Sequence, residues 1–198
     1  MVCRGRPKTF NNFEALEKAQ LLFWEKGYES TSLNDLVEGM GISRQSMYNT
    51  FGNKHALFIQ CLEYYIHEHY KQLNEDLFND GHLEDNLKGI LKMMEDNFMC
   101  PDSKGCFTSF AIQEMAQKDS DVKRILECTY TKNSELFEKF FTEGIEKGEI
   151  KSLLSGKELA DLFDSILLGV SGLCKLPNRG KQIKNVFNIF LKQIQFIR

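Results

Sequence analysis

The stretch TSLNDLVEGMGISRQSMYNTFGNK, residues 31–54, contains two short amphipathic segments on either side of a glycine turn. Three apolar residues recur at helical spacing and give the first segment one apolar face: Leu33, Leu36 and Val37. Ser32 can cap the free N–H groups of this segment, and Asp35 adds a carboxylate near its positive end. Gly41 supplies the backbone freedom that a sharp turn between helices needs. The pattern predicts a helix, a tight turn and a second helix.

The second segment combines few apolar residues with many exposed polar ones. Ile42 and Met47 are expected to anchor it, with Ser43 as its N-cap. Five hydrogen-bonding side chains have no packing role in this pattern: Arg44, Gln45, Ser46, Asn49 and Thr50. A helix-turn-helix places such side chains against base edges in the major groove, so the segment is a candidate DNA reader.

The same residues belong to a longer pattern that resembles a known family. Residues 5–58 resemble the N-terminal domain of TetR-family (AcrR-like) transcriptional regulators. The resemblance rests on the GRPK opening, FWEKGYESTSL, GMGIS and SMYNTFGNKHALF, which occur in this order. It implies an N-terminal helix-turn-helix domain and a helical body that senses a ligand. Beyond about residue 65 the resemblance rests on the layout of helices and not on motifs.

Chemistry and resemblance together suggest how each polar side chain contacts DNA. Arg44 can donate two hydrogen bonds to guanine, and Gln45 can pair with the major-groove edge of adenine. The shorter Ser46, Asn49 and Thr50 can reach bases, sugars or phosphates. We expect the base contacts to carry sequence choice, because phosphate contacts only set the register.

Phosphate contacts are expected from residues on both sides of the reading segment. The resemblance implies that Tyr48 and Lys54 hold the DNA backbone. Thr31 and Ser32, at the start of the first segment, can hold a phosphate as well. Each of these residues is also consistent with an ordinary solvated polar side chain.

Net charge alone does not suggest a nucleic-acid partner, since the 198 residues carry a net charge of −3. The charge is unevenly placed, however: Arg4, Arg6 and Lys8 lie in an opening octet without acidic residues. Such an arm can follow phosphates or enter a minor groove. A disordered, solvated start to the chain explains the same composition equally well.

Helical periodicity continues through the rest of the chain, and no strand-type alternation is visible. The predicted fold is all-α, with about nine helices that include the two segments above. The other helices are predicted over residues 12–26, 54–79, 83–100, 105–118, 120–147, 157–176 and 180–196. We divide the chain into a DNA-binding domain, residues 1–53, and a ligand-sensing and dimerisation domain, residues 54–198, with the fourth helix as connector.

The last two helices are apolar over wide arcs. A hairpin this apolar has more surface than one neighbour can cover, which favours a partner chain. The resemblance implies a homodimer built from these two helices. The predicted interface residues are Leu159, Phe163, Ile166, Val170, Val186, Phe187, Phe190 and Ile194. The alternative is that the hairpin closes the core of a single chain.

The middle helices supply a set of aromatic and methionine side chains. They are typical of an adaptable pocket for an apolar ligand and equally typical of an ordinary core. The resemblance favours a pocket, and the candidate lining is Leu91, Met94, Phe98, Cys106, Phe107, Phe110, Tyr130 and Phe137. Such a ligand would release the protein from DNA, which makes the chain a repressor, although an activator remains open.

Cys106 is the thiol with the clearest functional alternative. It lies near the predicted start of a helix, where a thiolate is favoured, and Lys104 is close in sequence. The alternative function is a sensor of electrophiles or oxidants, with Cys100 able to resolve a sulfenate. A buried, inert cysteine is the competing interpretation.

The sequence offers little support for other classes of protein. No P-loop, dinucleotide-binding or nucleophile-elbow motif occurs, so we expect neither an enzyme nor a cofactor. We expect no metal site, because no C-x2-C spacing occurs and His67 and His69 would point roughly 200° apart on a helix. No secretory signal or membrane span is visible, which favours a cytoplasmic protein. The remaining rival is a helical module that binds protein and not DNA.

Overall fold

A computed structural model describes residues 11–100 and 104–197 of the chain. Within these ranges the fold is all-α, as predicted, apart from one short ladder. The elements are α1 (Asn12–Lys26), α2 (Leu33–Met40), α3 (Arg44–Phe51), α4 (Lys54–Leu77), α5 (Leu83–Met99), α6 (Phe107–Met115), α7 (Ser120–Glu146), β1 (Ile150–Lys151), α8 (Gly156–Leu173), α9 (Gly180–Leu191) and β2 (Gln195–Phe196). The described residues divide into two compact units, one up to Tyr65 and one from Ile66 onward, and the boundary falls within the sequence of α4.

The N-terminal unit has a core to which each of its helices contributes. The ring centroids of Phe23 on α1 and Phe58 on α4 lie 5.2 Å apart, edge to face. Met47 and Phe51 on α3 and Leu36 on α2 are buried with them. Both large apolar side chains of α3, Met47 and Phe51, are inserted into this core. The core therefore holds α3 in place.

Helix α1 has the predicted bounds, but its apolar face differs at one end. The helical spacing of the apolar residues in α1 predicts that Phe13 is buried together with Leu16, Ala19 and Phe23, yet Phe13 is 66% exposed and Ala15 is buried instead. The buried residues Leu16, Ala19 and Phe23 lie on another side of the helix. Phe13 is therefore on the flank, with its ring 6.2 Å from that of Tyr64.

Gly39 on α2 lies against the side chain of Leu22 on α1. A Cβ atom at this position would lie 2.5 Å from Cδ1 of Leu22. Leu22 is half-buried there. A larger residue here would require the Leu22 side chain to move, since real Cβ contacts are not this short.

The C-terminal unit is built around α7 and α8. The Phe163 ring on α8 packs edge to face on Phe137, at 4.8 Å between centroids, and stacks on Phe190 of α9 at 4.9 Å. Leucine, isoleucine and methionine side chains of α4 and α5 complete this core. The aromatic cluster ties the last two helices to the body of their own chain.

This packing corrects the predicted dimer interface. Six of the eight predicted residues are buried within a single chain: Leu159, Phe163, Val170, Phe187, Phe190 and Ile194. The prediction is wrong for these six, because the apolar arc that they form faces α7 and the neighbouring helix. Ile166 and Val186 are half-buried and lie at the edge of that arc.

The end of the chain also departs from the prediction. Helix α9 ends at Leu191, and residues 195–196 pair antiparallel with β1, with Ile150 opposite Phe196. The N–H of Ile197 donates to the carbonyl oxygen of Glu149 at 2.9 Å. The expectation of no strand is therefore wrong here, since a two-residue ladder is too short to produce visible alternation.

Among the residues that the structure describes, no helix combines the length and apolar character needed to cross a membrane.

We predict that Leu159→Ala lowers the free energy of unfolding by about 2–5 kcal/mol, because it leaves a cavity in the core. Urea unfolding followed by circular dichroism measures this loss. The matched control is Leu153→Ala, since Leu153 is fully exposed in the same unit and should lose less than about 1 kcal/mol. If both variants lost equally little free energy of unfolding and Leu159→Ala weakened the dimer, Leu159 would lie in the dimer interface that the sequence predicts.

Candidate nucleic-acid interface

The start of α2 is fixed by the predicted capping box. The N–H of Asp35 donates to Oγ of Ser32 at 3.1 Å, and the N–H of Ser32 donates to Oδ2 of Asp35 at 2.8 Å. Lys26, in the last turn of α1, forms an ion pair with Asp35. Hydrogen bonds from Lys26 and then Ser32 hold the pKa of Asp35 well below its usual range. The box thus ties α2 to the end of α1.

The turn from α2 to α3 has the geometry that its sequence demands. Gly41 is left-handed, with φ of 68°, and its N–H donates to the carbonyl oxygens of Glu38 and Val37. Ile42 follows as a buried anchor. Only glycine adopts this conformation readily, so the angle between the two helices depends on it.

Helix α3 presents its polar start to solvent. Oγ of Ser43 accepts a hydrogen bond from the N–H of Ser46 at 3.1 Å, which confirms the predicted N-cap. The side chains predicted to contact bases remain accessible on the outer face: Arg44, Gln45 and Asn49 are exposed, and Ser46 and Thr50 are half-buried. A capped helix start with exposed polar side chains can read base edges in a major groove.

Arg44 has a partner that the sequence did not reveal. Its Nη2 donates to Oδ1 of Asn34, in the first turn of α2, at 2.7 Å. The two residues are ten positions apart and on different helices. Only the angle between α2 and α3 brings them together, and no local sequence pattern encodes that contact.

The two predicted phosphate contacts lie on α3 and at the start of α4. Tyr48 is exposed on α3. Nζ of Lys54 lies 4.5 Å from the ring centroid of Tyr28 and 3.4 Å from the carbonyl oxygen of Glu29. Tyr28 and Glu29 are further residues that sequence reasoning missed. They place the ammonium group at the N-terminus of α4, where helix amides also favour an anion.

Thr31 is not available as a phosphate contact, contrary to the prediction. Its side chain is completely buried, and Oγ1 donates to the carbonyl oxygen of Gly27 at 2.6 Å. The prediction that this hydroxyl binds phosphate is wrong, because the hydroxyl closes the turn after α1. Ser32 stays exposed beside it. Arg4 and Arg6 lie outside the described residues.

The predicted ligand-pocket residues divide into two groups in the C-terminal unit. Leu91, Met94, Phe107 and Phe137 are buried in the core, and Phe98, Cys106, Phe110 and Tyr130 are half-buried. Such an arrangement serves a core as well as a pocket, so the pocket stays a prediction.

Polar groups lie near Tyr130, and two of them, Ser109 and Asp164, were not singled out in the sequence. Burial raises the pKa of its phenol, next to Ser109, Cys106 and Asp164. Burial also raises the pKa of Asp164 to about 6. The half-buried body is therefore less apolar than its aromatic content suggests.

Comparison with known proteins agrees with this geometry. The family model described as "Bacterial regulatory proteins, tetR family" matches residues 15–61. The HTH-type transcriptional repressor ComR of Escherichia coli (strain K12) is 31% identical over 170 residues, which cover 85% of this chain and 81% of ComR. The chain belongs to the TetR family.

Solved structures of TetR regulators extend the likeness over the whole fold. A cysteine mutant of the TetR-family regulator CifR, in complex with 26-bp double-strand operator DNA, is 26% identical with a TM-score of 0.80. The match covers 94% of this chain and 98% of CifR. AibR, in complex with isovaleryl coenzyme A and operator DNA, shares the fold at 18% identity, with a TM-score of 0.68 and 92% and 97% coverage.

The chain is thus a DNA-binding transcriptional regulator of the TetR family, and its relatives are regulators and not enzymes. This conclusion removes the rival interpretation of a protein-binding helical module.

We predict that Asp35→Asn lowers the melting temperature at pH 7, because the ionised carboxylate is held by Lys26 and Ser32. Since folding lowers the pKa of Asp35, the stabilisation is present above its unfolded value of about 4 and is lost as the pH falls. Melting temperatures should therefore converge from about pH 4 downward. The control is Glu38→Gln, which removes an exposed carboxylate from the same helix. If the melting temperature of Asp35→Asn lay below that of the wild type by the same amount at every pH, the charge of Asp35 would not be the source of the stabilisation.

Proposed function

We propose that this regulator is a homodimeric repressor that binds an inverted-repeat operator in the cytoplasm and leaves it when a small, mostly apolar ligand fills the body. The observation that carries the proposal is the exposed polar start of α3 on a buried apolar base. One such helix reads only a few base pairs, so two copies related by a two-fold axis should read two half-sites.

Each DNA contact is assigned from the position of the side chain in the N-terminal unit. Arg44, Gln45 and Asn49 stand on the outer face of α3 and are assigned to bases. Tyr48 is exposed and Lys54 opens α4, where helix amides favour an anion, so both are assigned to phosphates. Further contacts are assigned to Ser32, Ser43, Ser46 and Thr50 and to the arm with Arg4 and Arg6. We keep residues 1–53 as the reading domain, 54–198 as the sensing domain and α4 as their connector.

A different face of α8 replaces the buried one as the proposed dimer surface. Leu162 is exposed and Ile166 half-buried on one side of the helix, next to Ser165 and Gly169. No described atom outside its own helix backbone and chain neighbours lies within 4 Å of a Cβ atom placed at Gly169. Small residues between apolar ones allow a second helix to approach closely.

Helix α9 has a matching face. Ile189 is 49% exposed and Val186 half-buried, and the uncharged Gln182 lies on the same side of the helix by its spacing. The two lysines of the helix, Lys181 and Lys184, lie elsewhere. An uncharged, partly apolar stripe beside the α8 face suits contact with an identical chain, because no like charges meet across the two-fold axis.

The half-buried side chains of the body support a ligand-sensing role. Phe98, Phe110 and Tyr130 combine apolar surface with access from solvent. The AibR complex holds an acyl coenzyme A together with operator DNA, so this fold accommodates an effector in that protein. The physical requirement is differential affinity: the ligand must bind more tightly to a conformation that no longer fits the operator.

A thiol sensor remains the alternative within this function. Cys106 is half-buried at the N-cap of α6, and its Sγ lies 3.0 Å from Oγ1 of Thr108. CifR was solved with three of its cysteines substituted, which concerns that protein alone. Accessibility at a helix start supports reactivity of Cys106 over the completely buried Cys61, whose pKa is raised by burial.

We predict that the purified protein selects an inverted repeat from a random duplex library. Its affinity for that duplex should fall roughly a hundredfold or more between about 50 and about 200 mM salt, because phosphate contacts release counterions. Lys54→Ala should weaken binding to all sequences, whereas Lys192→Ala, the matched control, should bind normally. Binding that is equal on selected and unrelated duplexes at physiological salt would contradict sequence-specific reading.

We predict that Ile189→Glu separates the dimer, since it places a pair of like charges on the proposed apolar face. Analytical ultracentrifugation at low micromolar concentration should show the mass of one chain, while circular dichroism stays unchanged. Leu153→Glu is the control, because Leu153 is equally apolar and fully exposed outside this face. A variant that remains dimeric would refute the proposed surface.

A further inference from the structure

A hydrogen bond joins Asn34, at the start of α2, to Arg44, at the start of α3. The proposed function gives this contact no role. Both residues are exposed, yet Nη2 of Arg44 lies 2.7 Å from Oδ1 of Asn34. A long, exposed arginine normally samples many rotamers. Here the first turn of α2 restricts the first side chain of α3.

We propose that Asn34 is a positioning residue for base recognition: it holds the guanidinium of Arg44 in the orientation that reads guanine. This inference rests on the proposed function, since it assumes that Arg44 reaches a base. Asn34 itself acts through Arg44 and needs no contact with DNA.

The donor geometry of arginine is compatible with this role. A guanidinium can address guanine through its Nη1–Nη2 edge or through its Nε–Nη2 edge. Asn34 accepts one of the two hydrogens on Nη2. Whichever hydrogen it takes, one of the two bidentate edges stays complete, so Arg44 can keep its partner while it reads guanine.

The neutral character of Asn34 matters as much as its position. Within the described part of the chain, Arg44 forms no ion pair, and the neighbouring acid Asp35 is held by Lys26 and Ser32. An amide oxygen orients the guanidinium without neutralising it. The full positive charge therefore remains available to the DNA, whereas a carboxylate partner would have to be displaced first.

The position of the pair is fixed by elements already described. The capping box of Ser32 and Asp35 sets the first turn of α2, and Gly41 sets the angle to α3. Asn34 and Arg44 thus face each other because the two helix starts lie side by side. Fixing one rotamer-rich side chain before binding should improve affinity by roughly threefold to tenfold for each half-site.

The test is a double-mutant cycle on two duplexes. Binding is measured for the wild type, Asn34→Ala, Arg44→Ala and the double variant. One duplex is the operator selected by the wild type. The other duplex carries adenine, in both half-sites, at the position where the wild type prefers guanine and Arg44→Ala does not. Asn188→Ala, an exposed asparagine on α9, is the matched control, and melting temperatures verify that all variants fold.

We expect Asn34→Ala to bind the selected operator roughly tenfold to a hundredfold more weakly as a dimer, the square of the half-site effect. On the adenine duplex it should bind like the wild type. In the Arg44→Ala background the Asn34 substitution should change nothing on either duplex, because the residue that it positions is gone.

Equal weakening on both duplexes, or a further loss in the Arg44→Ala background, would overturn the inference, since Asn34 would then contact the DNA itself. An unchanged affinity of Asn34→Ala would overturn it as well. Failure of the proposed function is distinguishable: the wild type would select no sequence, or Arg44→Ala would keep the base preference of the wild type.

Discussion

The insertion of Met47 and Phe51 into the core of the N-terminal unit is the constraint on which the reading surface depends. Helix α3 has eight residues, and a helix of this length is not stable alone in water. Its two buried side chains and the cap at Ser43 hold it in place. Its remaining polar side chains can therefore face solvent in a fixed arrangement, as a reader of base edges requires.

Local chemistry made this part of the fold predictable from the sequence. Caps such as Ser32 and Ser43, and the left-handed turn at Gly41, depend on neighbours within a few positions. The bounds of α1 and the exposure of Arg44, Gln45 and Asn49 followed from the same periodicity. Thr31 was misassigned because a hydroxyl at a helix start looks the same in sequence whether it is exposed or closes a buried turn.

Contacts between distant segments were not predictable. The apolar arcs of α8 and α9 indicate that these helices are buried, but they do not indicate which segment covers them. The stacking of Phe163 on Phe190 shows that residues of the same chain do so. The face that we propose for a partner chain carries fewer apolar residues, among them Leu162 and Ile189. Likewise, the bond from Arg44 to Asn34 and the ladder of residues 150–151 with 195–196 depend on tertiary geometry alone.

The most direct test of the central claim is methylation interference on the selected operator. Methylation at N7 of guanine blocks the acceptor that an arginine in the major groove uses. If the start of α3 enters that groove, methylation of one guanine in each half-site should block the wild type and leave Arg44→Ala unaffected. Entry of α3 into the groove would be contradicted if no guanine interfered, or if the wild type and Arg44→Ala gave the same interference pattern.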